Sequence, residues 1–173
     1  MTGKKDQGFT LIELLIVVAI ISIIAAIAVP GLLRARMSGN ETSALASLKV
    51  VNSSEVAYSA SCGNNGYATS FVTLATPSPT MGFISADLGV ATPVKSGYNF
   101  TLGSSVGSAA GVNDCNGKTT ATGYYATAIP TGYGTTGSKS FATSAGNTVY
   151  QAWSATAPSA DALGVWTGGT PIG

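Results

Sequence analysis

The sequence predicts an α+β fold: a long N-terminal helix, membrane-spanning in its first half, packed by its second half on a small antiparallel β-sheet. Three observations carry this. Phe9 to Val29 is a nearly unbroken apolar run, and Glu41 to Ser61 changes to apolar residues at helical spacing. Beyond residue 96, four short segments alternate in the strand pattern between turn-forming residues. At 173 residues the chain fits one domain plus an appendage.

The stretch Gly8–Pro30, GFTLIELLIVVAIISIIAAIAVP, sets the organisation of the whole. A bilayer's hydrocarbon core needs about 20 apolar residues in a helix rising about 1.5 Å per residue, and this run meets that length. Glu13 is its single charged residue, and a carboxyl near the end of such a helix is costly unless it finds a partner. Pro30-Gly31 follows, where proline removes a helix hydrogen bond and glycine loosens the chain. Pro30 either ends the span or kinks a longer helix; Leu32-Leu33 continues the apolar pattern and favours the kink. Lys4 and Lys5 precede the span and Arg34 and Arg36 follow it, so charge leaves its orientation nearly balanced. Met1–Gly8 is too short to hold the apolar core of a secretory signal. The competing reading is cleavage at Ala25-Ala26-Ile27-Ala28, which would destroy the helix and release a soluble domain.

A short basic leader, then Gly8-Phe9-Thr10-Leu11-Ile12-Glu13, then an apolar run resembles the processing site of type IV pilins and of the type II secretion pseudopilins. The likeness is close over about residues 1–36 and only architectural beyond. It implies a pilin-like fold and a leader, residues 1–8, in the cytoplasm. It implies a membrane-embedded prepilin peptidase that cuts between Gly8 and Phe9 and methylates the Phe9 amine. It also implies an inner-membrane assembly platform, storage of the subunit in lipid, and identical or related subunits in a helical filament outside. Glu13 would there pair with the Phe9 amine of a neighbour and set axial register. Pairing within one subunit and snorkelling of the acid to the interface are the other readings. Around Pro30 such helices unwind in packed filaments. Removing Lys4, Lys5 and Asp6 leaves six basic and six acidic side chains, a neutral subunit that stacks without building up repulsion.

From Glu41 to Ser61, Leu45, Leu48, Val51 and Tyr58 fall at helical spacing, with Glu41, Asn52 and Glu55 among the polar positions between them. Ser38-Gly39-Asn40-Glu41 reads as a weak point or a fresh capping box. One helix is therefore expected from about Phe9 to Ser61, divided into a spanning part (9–30) and an amphipathic part (31–61), and stopped by Gly63-Asn64-Asn65-Gly66. Residues 62–96 read as a long connection broken by Pro77, Pro79 and Pro93 and pinned by Phe71, Leu74, Phe83, Ile84 and Leu88. Short helical turns are expected near Phe71–Leu74 and Ala86–Leu88. The head, 97–173, carries strands at Tyr98–Leu102, Tyr124–Ile129, Ser140–Thr143 and Thr148–Trp153, the last two joined across Ser144-Ala145-Gly146-Asn147. Thr156–Gly173 is a small-residue tail around Leu163, Val165 and Trp166.

Cys62 and Cys115 lie in the part expected outside the cytoplasm, where thiols oxidise. Two cysteines permit one intrachain bridge, the alternative being two free or buried thiols.

The chain has no histidine. Ser–His and Cys–His catalysis and histidine-ligated metals are thereby excluded, and two cysteines cannot complete an all-cysteine zinc site. No cofactor is expected and no enzyme. Gly132–Gly137 spells GxGxxG but leads into a strand rather than opening a helix. Calcium wants several carboxylates, and Asp161 stands nearly alone in SADALGVW. A net charge of +1 without a basic cluster gives no case for nucleic acid. Asn40, Asn52 and Asn99 each open a glycosylation triplet, a pattern frequent by chance. The expected function is that of a pilus subunit, first held in the inner membrane by a single pass with its N-terminus cytoplasmic and later exported. The alternatives are a periplasmic pseudopilin and a membrane-anchored binding domain that never polymerises.

Overall fold

A computed structural model describes residues 8–76, 81–160 and 165–172. Helix α1 (Leu11–Ser61) runs for 51 residues with Pro30 inside it. The chain divides between Arg36 and Met37 into two compact units. The N-terminal unit is the first part of α1, and every described residue in it is exposed.

The second unit is an α+β head. Its helical portion buries Ala44, Ser47, Leu48, Val51, Asn52, Ser54, Glu55 and Tyr58, a stripe recurring every three or four residues, as a helix with one covered face requires. The chain then forms β1 (Tyr67–Ala68), α2 (Phe71–Ala75), β2 (Val94–Lys95), β3 (Tyr98–Ser104), β4 (Thr120–Ala121), β5 (Tyr124–Pro130), β6 (Ser140–Ser144), β7 (Val149–Ala152), β8 (Ser159–Ala160), β9 (Trp166–Thr167) and β10 (Thr170–Ile172). Six of the strands make one antiparallel sheet in the order β10-β7-β6-β5-β3-β2, and β1–β4 and β8–β9 are two-stranded pairs. The core joins Leu48, Val51 and Tyr58 of the helix with Tyr98, Phe100, Tyr124, Ala126, Ala128, Phe141 and Val149 of the sheet. Phe71, Leu74, Ile84 and Leu88 of the connection are buried in the same cluster, and Phe83 packs against it.

Small inward residues at Ala126 and Ala128 let the sheet approach the helix, and polar groups then fix the register. Asn52 Oδ1 accepts from Tyr124 Oη at 2.9 Å and Thr143 Oγ1 at 3.0 Å, while its Nδ2 donates to the Asn147 carbonyl at 3.2 Å. One amide thus reaches strands β5 and β6 and the β6–β7 turn, with its donor and acceptor both used. Asn52 and Glu55 therefore do not form a polar face. They are buried, Asn52 against Tyr124, Thr143 and the Asn147 carbonyl and Glu55 against the Ala68 amide, partners that apolar spacing cannot reveal.

Ser38–Glu41 neither breaks nor restarts the helix. Glu41 Oε1 accepts from the Ser138 amide and hydroxyl, each at 2.8 Å, and Asn40 Nδ2 donates to the Thr136 carbonyl at 2.8 Å. These bonds tie down the Gly132–Gly137 turn, which leads into β6. The helix stops where expected, but the left-handed positions are Asn64 (φ 50°) and Asn65 (φ 65°), not the flanking glycines. Gly63 and Gly66 are small for another reason: a Cβ at either would strike Tyr58 or Thr120.

The tail holds more structure than its composition indicates. β10 pairs with β7 at the sheet edge, and Trp166 stacks on Tyr150 with ring centroids 4.2 Å apart. The sheet therefore has six strands where alternation picks out four, since β2 and β10 are too short to show a period. Ala86–Leu88 is a turn rather than helix, with the Leu88 amide donating to Ser85. Pro77, Pro79, Leu163 and the calcium candidate Asp161 lie outside the described residues.

Cys62, just past the helix, is bonded to Cys115 across 53 positions of sequence. A loop of that size is worth about 4 kcal/mol in the chain-entropy model. Reducing the bridge, or replacing Cys115 by Ser, is expected to cost the head about that much in urea denaturation. A loss below about 1 kcal/mol would show that the loop is closed by its other contacts.

Candidate functional site

The candidate site is the N-terminal unit, and it is a surface rather than a pocket. Between Gly8 and Leu33 the only charged residue is Glu13. The apolar side chains point outward on every side: Leu11 is 76% exposed, Ile16 55%, Ile20 52% and Ile27 77%. A helix apolar all round is stable only inside lipid or among other helices. Among the described residues, α1 is the helix long and apolar enough to cross a membrane. Its few polar groups are handled locally. The Ser22 hydroxyl donates to the Val18 carbonyl at 2.8 Å, which satisfies it without water.

The start of the helix explains Glu13 in part. Thr10 and Glu13 form a reciprocal cap: the Thr10 amide and hydroxyl donate to Glu13 Oε2 at 2.9 and 2.6 Å, and the Glu13 amide donates to Thr10 Oγ1 at 3.3 Å. The Thr10 carbonyl accepts from Leu14 as the first intrahelical bond. This is the capping box, T-x-x-E, which satisfies backbone donors that a helix otherwise leaves open at its N-terminus. The signal Thr10-Leu11-Ile12-Glu13 lies in plain sequence and fixes the first helical residue at Leu11. Apolar periodicity passes over it, because both residues sit at the edge of the run. Both Thr10 donors go to the same oxygen, Oε2, and Oε1 takes neither.

Gly8 is exposed with open space around its Cα, and Phe9 is 88% exposed. Gly8, Phe9 and Glu13 thus stand together at one end of the run, with Pro30 at the other and Cys62–Cys115 in the head. Residues 1–7, which hold Lys4, Lys5 and Asp6, lie outside the described residues. Arg34 and Arg36 are exposed. Of the glycosylation triplets, Asn52 is buried and Asn40 is committed to Thr136, while Asn99 is exposed on β3. Among the described residues, no group of three or more histidine, cysteine, aspartate or glutamate side chains is placed to hold a metal ion.

A capped, glycine-preceded apolar helix of this kind is what the comparisons with known proteins match. Residues 3–29 match the prokaryotic N-terminal methylation motif. The chain is 59% identical over 39 residues to the type IV wide pilus major component PilA4 of Thermus thermophilus, covering 22% of this chain and 30% of that protein. It is 41% identical over 56 residues to the type IV major pilin protein PilA of Myxococcus xanthus, covering 32% of this chain and 26% of that one. The motif and the two relatives together support the type IV pilin family. The matched region spans less than a third of either relative, and no solved structure matches the chain.

Replacing Thr10 by Ala removes one side of the cap and is expected to cost the first helical turn about 1 kcal/mol. Amide exchange of Ile12 to Leu14 in detergent micelles should rise several-fold, with Ala44 to Tyr58 unchanged. Equal rates in the two proteins would show that the cap contributes nothing.

Proposed function

We propose that this chain is a structural subunit of a type IV pilus, cut between Gly8 and Phe9 by a prepilin peptidase, methylated on the Phe9 amine, and polymerised through its N-terminal helix. The observation that carries the proposal is a helix apolar on every side that opens with a capped acid five residues after a glycine. The methylation motif over residues 3–29 and two relatives named as major pilus components support it. Before assembly, lipid covers the helix, with the N-terminus cytoplasmic and the head beyond the inner membrane. An assembly platform then transfers it into a filament, where the helices of other subunits replace lipid. The role is mechanical, with no catalysis by the chain itself.

In this scheme Glu13 acts twice. Oε2 holds the cap within its own subunit, and Oε1 accepts the Phe9 amine of a neighbour. An amine buried without a counter-charge costs several kcal/mol, so the pair selects the axial offset at which both charges meet. Pro30 lacks the amide that would complete the helix ladder, so the segment around it is the place for local unwinding.

Glu13→Gln separates the two tasks, since glutamine also serves in a capping box while carrying no charge. Protein in sheared surface filaments is expected to fall at least about tenfold, with the membrane-held amount and the cleavage at Gly8 unchanged. An intact-mass spectrum of the filament protein should match Phe9–Gly173 plus one methyl group, less two hydrogens for the disulfide. Normal filaments from the Gln variant would leave Glu13 a capping residue only. Mature protein found in the periplasm and never in surface filaments would move the assignment to a pseudopilin.

A further inference from the structure

Glu55 has no part in the assembly proposed above, yet it is the most deeply buried acid among the described residues of the head. Its side chain is wholly buried. Oε2 accepts the Ala68 amide of β1 at 2.9 Å, and Oε1 has no hydrogen-bond partner. Two nearby hydroxyl donors are already committed. The Tyr58 hydroxyl donates to Asp114 Oδ2 at 2.8 Å, and the Tyr124 hydroxyl to Asn52 Oδ1 at 2.9 Å. Asp114 is engaged elsewhere as well, its Oδ1 accepting the Asn116 and Lys118 amides. The titratable groups facing this region are Tyr58 from α1, Tyr67 from β1, Tyr124 from β5 and Asp114 from the loop beyond, none of them cationic. An ionised carboxylate there would keep one hydrogen bond in exchange for its hydration, a trade that costs far more than it returns.

We propose that Glu55 is a proton-held latch: its neutral carboxyl lets β1 lie closed on the helix, and loss of that proton lifts the Tyr67–Ala68 segment so that water reaches the carboxylate. Burial, opposed only by the Ala68 amide, pushes its pKa up to about 8 from an ordinary 4.5. The folded pKa is the raised one, so the latch's stabilisation is complete below about pH 4.5. It is lost progressively as pH rises through about 8. Tyr58 and Tyr124 are shifted upward, mainly by burial, and stay neutral throughout that window. The closed strand pairs with β4 through Tyr67↔Ala121 and Ala68↔Thr120, so its release would also free that pair.

The test is amide exchange of the full chain in detergent micelles between pH 5 and 9, expressed as protection relative to the unstructured peptide. The protection of Ala68 is expected to fall up to about tenfold per pH unit until near pH 8 and then level off. In Glu55→Gln, which cannot ionise, it should stay flat. A flat profile in the unmodified chain, or the same fall in the Gln variant, overturns the proposal. Should the variant fail to fold, the carboxyl carbon of Glu55 is titrated by NMR in the unmodified chain. A midpoint near 8 supports the latch, and one in the ordinary carboxylate range overturns it.

Discussion

An apolar surface on every side of a helix cannot rest in water, and that constraint governs the rest of this chain. Fifteen leucine, isoleucine and valine side chains from Leu11 to Leu33 are exposed, and burying each is worth about 1.5–3 kcal/mol. Summed over these fifteen residues, the drive to cover this surface exceeds the entire stability of an ordinary domain. Lipid supplies a cover, and so do further copies of the same helix. In the proposed assembly the helix passes from one to the other and needs the same surface for both, which would account for the lack of amphipathic bias. Its polar features are confined to the ends and to Ser22, whose hydroxyl is spent on its own backbone.

The head answers a different problem. Its loops are rich in glycine, serine and threonine and have little apolar surface to bury. The helix therefore fixes them by side-chain hydrogen bonds at successive turns: Asn40 to Thr136, Glu41 to Ser138, Ser43 to Ser96, Asn52 to Tyr124 and Thr143, Ser54 to the Phe83 carbonyl, and Glu55 to Ala68. Each bond contributes about 1 kcal/mol net, but leaving its buried partner unmet would cost more. These contacts specify register more than they add stability. The exposed Lys95–Asp87 pair, at 2.7 Å, holds the Asp87 carboxyl down to about 2, through the Lys95 hydrogen bond first and Ser85 next. Standing in solvent, that pair contributes little to folding.

The long helix, its stop, the connection anchored by Phe71 and Leu74, and the four central strands were legible because each rests on a local period or a turn signal. The edge strands β2 and β10 were not, since two or three residues carry no period and each is defined by its pairing with a distant or longer strand, β2 with β3 and β10 with β7. Asn52 and Glu55, polar positions between the apolar ones, are not recognisable as buried for a related reason. A polar residue on a helix is read as exposed unless its partner is known, and those partners lie 13 to 95 positions away. The Thr10–Glu13 box was fully visible and is purely local. It escapes a reading that treats Glu13 only as a charge in a greasy run.

That double character of Glu13 bears on how such a site functions. A carboxyl that served only a distant amine would have to wait at the edge of the apolar run with no local partner, at a cost of several kcal/mol. One held only by its own cap would have nothing to offer a neighbour. With both Thr10 donors on Oε2, the side chain is fixed in one rotamer while its other oxygen takes no part in the cap. In the proposed assembly an incoming amine would meet a preorganised acceptor, and little side-chain entropy would be lost when the pair forms. In the proposed assembly, the threonine three residues before the acid would serve as a positioning residue, although it touches no partner itself.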